Sequence, residues 1–255
     1  MIKTEWDYTY LADAYIKRPN YSTEAIDQML TVAGLNATRG GVGYIFDVGA
    51  GVAHLTIELA KRGFKVNAVE PNDAMRENGI KRTVNYKNVN WFEGVGEDTR
   101  QPTSIFDLVT FGSSFNVTNR QDALKESQRI LKQNGWFACL WNRRDLSDPI
   151  QQEVETIIKS YIKNYDYGTR REDQTEIIKE SGRFDNIQPF GGRVIHSVLI
   201  DDFIEGWHSH ATLLRQAGNN FSKIIKDISD MLKSMNKATI DIPYQTQGWM
   251  AHVIK

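Results

Sequence analysis

The chain has 255 residues, 40% hydrophobic and 25% charged, with a formal net charge of −1. That is enough apolar material for a sizeable core, which excludes wholesale disorder, and the balanced charge gives no basic excess to steer the protein to nucleic acid. One cysteine, Cys139, excludes an internal disulfide framework and a cysteine-based metal site.

Cys139 stands in the apolar run GWFACLW and reads as a buried, inert thiol. The first residues, MIKTEWDYTY, carry no apolar signal region, and no stretch is long enough to span a bilayer. The cytoplasm is therefore the expected compartment. The Asn-x-Ser/Thr triplets at Asn36, Asn116 and Asn220 read as chance.

Taken in chain order, residues 1–40 form an aromatic segment, EWDYTYLADAYIKRPNY, followed by a helix, TEAIDQMLTVAG. VGYIFDV (42–48) is a buried-strand run, and VAHLTIELAKRG carries Leu55, Ile57 and Leu59 at helical spacing before a stop at Gly63. FKVNAVE is a second strand. NDAMRENGIKRT is a second helix, capped by Asn72. VNWFEG and FDLVTFG are two more strands. RQDALKESQRILKQNG is an amphipathic helix expected to run to its glycine, and WFACLW is a fifth strand. Residues 42–141 thus read β-α-β-α-β-β-α-β, which predicts an α/β fold with a mostly parallel, doubly wound sheet. Helices are expected at about 148–182, an irregular strand region at 184–198, and helical stretches at about 200–235. A final strand falls at WMAHVI, with Pro243 suited to an edge or a turn.

Ligands of such sheets lie at the carboxyl ends of the strands, near the point where strand order reverses. Asp47 ends the first strand there. Gly49 and Gly51 allow close backbone approach, and the helix beyond Val52 aims its N-terminus at the same place. A dinucleotide fingerprint wants a third glycine where His54 stands. The small residue is instead Ala53, giving D-x-G-x-G-x-A. Glu70 ends the second strand, and a carboxylate there accepts hydrogen bonds from the two hydroxyls of a ribose.

D-x-G-x-G-x-A resembles the first motif of the class I S-adenosylmethionine-dependent methyltransferases, with Ala53 in place of their third glycine. NWFEGVGED and FDLVTFGSSFN resemble the segments that follow in that family, and the run from Glu126 through Arg129 to Gly135 its structural helix signature. The likeness covers about residues 40–142. It extends more loosely to ADAYIKRPNYS and DIPYQTQGWMAHVIK, flanks that resemble the small-molecule branch of trans-aconitate methyltransferase-like proteins.

The resemblance implies one Rossmann-like domain with a seven-stranded sheet whose last strand is antiparallel. Residues 1–40 would be a helical cover, 41–142 the cofactor-binding core and 199–237 a helical cap. It implies S-adenosylmethionine as cofactor, S-adenosylhomocysteine as product, and methyl transfer to an oxygen or nitrogen of a small molecule. Cofactor contacts fall on Asp47, Gly49, Ala50, Gly51, His54, Glu70, Pro71, Gly96, Phe111 and one of Glu97 and Asp98, with Tyr15 and Arg18 near the methionine carboxylate. Ser114, Phe115, Asn116, Trp141 and Trp207 face the acceptor. For Phe111, Phe115 and Trp141, plain core packing competes with a role beside the sulfonium.

His208 and His210, two apart and so not on one helix face, offer at most one base. Trp6, Tyr8, Tyr10, Tyr15 and Tyr21 read either as a lid that excludes water or as a packed cover. Arg143 and Arg144 read as a solvated turn or as contacts to an anionic acceptor, and RRED (170–173) as plain surface. No acid cluster has metal-ligand spacing, so no metal is expected. The chain is expected to act as a monomer or homodimer without nucleic-acid or membrane partners. RNA or protein methylation, a nicotinamide oxidoreductase and a non-catalytic cofactor-binding module are the alternatives. The oxidoreductase is opposed by His54 and by the lack of a Tyr-x-x-x-Lys pair.

Overall fold

Apolar runs bounded by glycine and asparagine become the strands of one sheet. The computed structural model describes residues 7–35 and 43–255, so Trp6 and Asn36 lie outside the described residues. Strands β1 (Tyr44–Val48), β2 (Lys65–Val69), β3 (Val89–Phe92), β4 (Phe106–Gly112) and β5 (Leu131–Arg144) pair in parallel. Helices α3 (His54–Lys61), α4 (Asp73–Thr83) and α5 (Arg120–Ile130) make the crossovers; the β3–β4 connection has none. The order is β3-β2-β1-β4-β5-β7-β6, where β6 is Phe184–Leu199 and β7 is Thr239–Val253. β7 is antiparallel to both neighbours. Strand order reverses at β1, which has β2 on one side and β4 on the other, and this opens a crevice at the carboxyl ends.

Strand alternation divides the core between two faces. Phe46, Val109, Phe111, Phe137 and Cys139 pack with Leu124 of α5 and with Ile178 of α7 (Thr175–Glu180). Ile45, Leu108, Ala138 and Leu140 pack with Leu55 and Leu59 of α3 and with Ile26 and Met29 of α2 (Thr23–Val32). A third apolar cluster joins α6 (Pro149–Tyr161) to α8 (Ile200–His208), α9 (Ala211–Ala217) and α10 (Phe221–Ser234), which stand between β6 and β7 as a cap. The N-terminal segment, with the short α1 (Ala12–Tyr15), packs on Val52 and Met75 and is pinned by a 2.8 Å bond from Asn78 Nδ2 to Asp13. Among the described residues no helix is long and apolar enough to cross a membrane.

Several elements differ from the sequence expectation. α5 stops at Ile130, because Leu131 takes extended angles and pairs with Phe106. Residues 132–135 then bulge before Trp136 rejoins β4. The region 148–182 is broken by a loop in which Gly168 adopts φ +67°. β6 is one long strand, because β7 pairs along its length; its register shifts only between Asp185 and Gln188. Pro243 lies inside β7, beyond the last rung with β5, where its missing N–H breaks no bond. Its carbonyl accepts from the Asp145 amide.

Glu126 ties the long β3–β4 connection to α5. The buried carboxylate accepts from the Thr99 amide and hydroxyl, at 2.9 and 2.5 Å, and pairs with Arg129 at 2.7 Å. Burial raises its pKa, but the bonds from Arg129 and Thr99 outweigh that and hold it below its usual 4.5. Its stabilising contribution is therefore present above pH 4.5 and lost as the pH falls through the lower folded value. Glu126→Ala is expected to cost about 2–3 kcal/mol in urea unfolding at pH 7, with the difference shrinking towards pH 3; an equal loss at both pH values would contradict the assignment.

Candidate active site

The crevice beside β1 holds a cavity of about 700 Å³, within the range of ligand pockets. Its floor is the turn after β1. Gly49 and Gly51 have φ of +63° and +56°, and a Cβ at Gly49 would lie 2.5 Å from Ser114 Cβ. Ala53, at the α3 N-cap, also sits left-handed at φ 73°. The cost of Ala53 replacing glycine is thus backbone strain as well as one methyl group.

Two buried carboxylates hold this turn. Asp47 accepts from the Thr56 hydroxyl at 2.6 Å and the Thr110 hydroxyl at 2.9 Å, which links β1 to α3 and β4. Burial pushes its carboxyl up to about 6, against those bonds. Glu70 accepts from the Gly51 amide at 3.0 Å and the Asn72 amide at 2.9 Å, one on each oxygen. Burial pushes it up to about 7. An ionised carboxylate has roughly four acceptor positions, so this one keeps capacity for ligand hydroxyls.

Of the residues singled out in the sequence, Asp47, Gly49, Ala50, Gly51, His54, Glu70, Pro71, Glu97, Tyr15, Ser114 and Asn116 line this cavity. Glu97 faces it and accepts from the Asn119 amide, whereas the Asp98 side chain is 70% exposed. Gly96 packs behind the wall, against Phe111, Thr118 and Val48. Phe111 and Phe115 are fully buried in the core around Phe137 and do not line the cavity, so both are corrected to packing residues.

His54 lines the cavity and also meets the N-terminal segment. Nε2 lies 3.1 Å from the Tyr15 carbonyl and Nδ1 3.1 Å from the Asn20 side chain, so both nitrogens are taken by the N-terminal segment. Burial, with Arg82 nearby, pushes its pKa down to about 4. A neutral ring at the α3 N-terminus ties the cover to the turn while it lines the cavity.

A smaller space of about 90 Å³ adjoins the cavity, sharing Tyr8, Tyr15, Tyr21, His54, Ser113 and Asn116 with it. Beyond it, under the cap, lies a pocket of about 70 Å³. Trp141 and His210 line both smaller spaces and Trp207 the inner one. Trp141 Nε1 donates to Asn116 at 2.8 Å. Arg18 is corrected to this side: it donates to Ser209 Oγ at 2.7 Å and does not line the cofactor cavity. Arg170 and Arg171, expected on plain surface, line the inner pocket. No periodic signal marked them, because they follow a glycine in a single helical turn.

The two histidines separate. His208 is exposed at the end of α8, away from these spaces. His210 is buried and stacks on Trp207, and its Nδ1 accepts from the Leu213 amide as the α9 N-cap. Burial, with Arg18, Arg170 and Arg144 nearby, holds its pKa well below 6.5. The cap bond fixes the neutral tautomer with its proton on Nε2. In this state His210 offers its Nε2 proton as a hydrogen-bond donor. The Tyr21 hydroxyl, 2.9 Å from Ser113 Oγ, has its pKa raised by burial and stays protonated.

A crevice at a strand-order reversal, floored by a glycine turn and flanked by a strand-end carboxylate, defines a Rossmann-like site for an adenosine cofactor. Residues 46–139 match a family model described as a methyltransferase domain. A ubiquinone/menaquinone biosynthesis C-methyltransferase of Zymomonas mobilis is 35% identical over 100 residues, 38% of this chain and 41% of that protein. An uncharacterized methyltransferase of Mycobacterium tuberculosis is 31% identical over 128 residues, 50% of this chain and 48% of that one. The matched part thus spans less than half of either relative. In fold, the chain is similar to a structure titled as a putative type II methyltransferase from Anaeromyxobacter dehalogenans, with a TM-score of 0.60, 15% identity and coverage of 93% of this chain and 98% of the other. Residues 46–139 therefore carry a methyltransferase domain, and the fold around them is that of Rossmann-like methyltransferases.

The turn gives a direct test of the site's geometry. Gly49→Ala is expected to cost about 2–4 kcal/mol, from left-handed strain plus the collision with Ser114. Gly51→Ala, whose Cβ would meet only the mobile end of Met75 at 3.1 Å, is expected to cost about 1–2 kcal/mol. Thermal unfolding of both variants checks the order, and a reversed order would contradict this packing.

Proposed function

We propose that this protein transfers a methyl group from S-adenosylmethionine to a nucleophilic atom of a small molecule. The observation that carries the reading is the chain of three adjoining spaces, from the glycine turn to a small pocket beneath the cap. When bound, the cofactor supplies an electrophilic methyl group on a sulfonium sulfur. Glu70 would hold the ribose hydroxyls, Glu97 the adenine side, and the Gly49–Gly51 turn the methionine moiety. Tyr8, Tyr15 and Tyr21 would exclude water from the sulfonium and turn aromatic surface towards it.

The space between the cofactor cavity and the inner pocket presents donors in place of a base: Tyr21, Asn116 and the Nε2 proton of His210. The acceptor atom therefore arrives already able to attack, or gives its proton to water, and catalysis rests on positioning. The narrow inner spaces, about 90 and 70 Å³, favour a small acceptor over RNA or a protein segment. The Zymomonas relative is named a C-methyltransferase, so carbon stands beside oxygen and nitrogen as the atom methylated.

Isothermal titration tests the cofactor reading. S-adenosylmethionine and S-adenosylhomocysteine should bind and NAD should not; binding of NAD alone would overturn it. Since burial holds Glu70 near 7 and the ionised form is the better acceptor, affinity for S-adenosylhomocysteine should fall about tenfold from pH 8 to pH 6. Glu70→Gln should bind weakly at both pH values and lose that dependence. A wild-type affinity unchanged by pH would remove Glu70 from the ribose site.

A further inference from the structure

The inner pocket concentrates positive charge that the fold neutralises only in part. Five arginines line it: Arg18, Arg143, Arg144, Arg170 and Arg171. Only Arg144 has a carboxylate partner, Glu155, among the described residues. Arg18 donates to the neutral Ser209, and Arg143 to the Arg171 carbonyl at 2.9 Å. The side chains of Arg170 and Arg171 make no hydrogen bond or ion pair to a described residue; both guanidinium groups lie over the Tyr167 ring, at 5.9 and 3.2 Å. Burial lowers the pKa of Arg143, Arg170 and Arg171; neighbouring arginines add to it, and Asp173 near Arg143, Tyr165 near Arg170, and Tyr167 and Glu155 near Arg171 offset part of it.

Unpaired donors accompany the charge. Arg143 Nε, Arg144 Nη1 and Trp207 Nε1 are buried without an acceptor, on side chains that line the pocket. Buried donors and buried cations are costly unless something accepts from them. Guanidinium forks match the planar, multi-oxygen geometry of carboxylates and phosphates. A volume of about 70 Å³ suits a group of a few heavy atoms.

We propose that this pocket holds an oxyanion group of the methyl acceptor, a carboxylate or a phosphate, at a distance from the atom that is methylated. The inference rests on the methyltransferase reading for the word acceptor and on the pocket alone for the anion. The acceptor would span the intermediate space, which shares Arg18, Trp141, Asn142, Arg170 and His210 with the inner pocket. Its anionic end would sit among the arginines and its nucleophile beside Tyr21, Ser113 and Asn116. The neutral His210 adds a donor without a second use for its proton.

The test uses the full chain and its tryptophan fluorescence, to which Trp141 and Trp207 in the pocket lining contribute. Inorganic phosphate, glutarate and the uncharged glutaramide are titrated at matched ionic strength, with S-adenosylhomocysteine binding measured in parallel. At least one anion should bind saturably and glutaramide should not; the stronger anion identifies the group. Arg170→Gln should weaken that anion about tenfold and leave S-adenosylhomocysteine affinity unchanged. It should also raise the melting temperature in the absence of anion, since it removes an unpaired charge, and Arg170→Lys should keep part of the anion affinity. No saturable response to either anion, a response matched by sodium chloride, or equal anion affinity in Arg170→Gln would overturn the proposal while S-adenosylhomocysteine binding stands. Anion binding without S-adenosylhomocysteine binding would overturn the acceptor role together with the methyltransferase reading.

Discussion

The site depends on one carboxylate at the end of β2. Glu70 takes the Gly51 amide with one oxygen and the Asn72 amide with the other. The first bond closes the turn after β1, and the second sets the entry to α4. Asn72 then caps α4 by accepting from the Met75 amide at 3.1 Å. Met75 packs against Val52 and Ala12, which brings the N-terminal segment over the crevice. A single buried acid therefore fixes the spacing of two strand ends, one helix start and the cover above them. Because its acceptors are divided between protein amides and ligand capacity, binding and local folding draw on the same group.

Two kinds of buried charge are set against each other across the molecule. On the cofactor side the buried groups are acids, Asp47 and Glu70, whose pKa values are raised by desolvation and restrained by hydrogen bonds. Under the cap they are arginines, mostly without acids. Between them lie neutral donors and aromatic rings: Tyr15, Tyr21, Trp141 and His210. An acceptor with one anionic end would be drawn to the far pocket and repelled from the acids, so its orientation would follow from electrostatics before any close contact forms.

The cofactor half of this arrangement was legible in the sequence because it is local. Asp47, Gly49 and Gly51 sit within one turn, and Glu70 falls one β-α-β step later, so their meeting follows from topology. His54 argued rightly against a dinucleotide fingerprint, but its role needs Tyr15 and Asn20, more than thirty residues earlier. Glu97 and Asp98 differ by one place, and only the narrow turn bridging Val95 and Asp98 separates cavity from solvent. Phe111 and Phe115 look like strand-end aromatics, yet the pleat of β4 turns Phe111 into the core and the helical turn beyond the strand turns Phe115 there too. The acceptor half was opaque. Arg18, Arg144, Arg170 and His210 come from four distant segments, and the RRED run carries no sign that its first two residues face inward.

The register of the last two strands has a further consequence. Leu199 pairs with Thr239, so the cap helices leave and re-enter the sheet through a single rung at the end of the β6–β7 ribbon. Their chain ends are held a strand's width apart whatever lies between. Lengthening or replacing such an insertion changes loop-closure entropy only slowly and leaves the pairing from Phe184 to Leu199 intact. The roof of the pocket is thus a module that can be lengthened or replaced without disturbing the strand pairing, while the turn that floors the cofactor cavity belongs to β1 and α3 at the other side of the sheet.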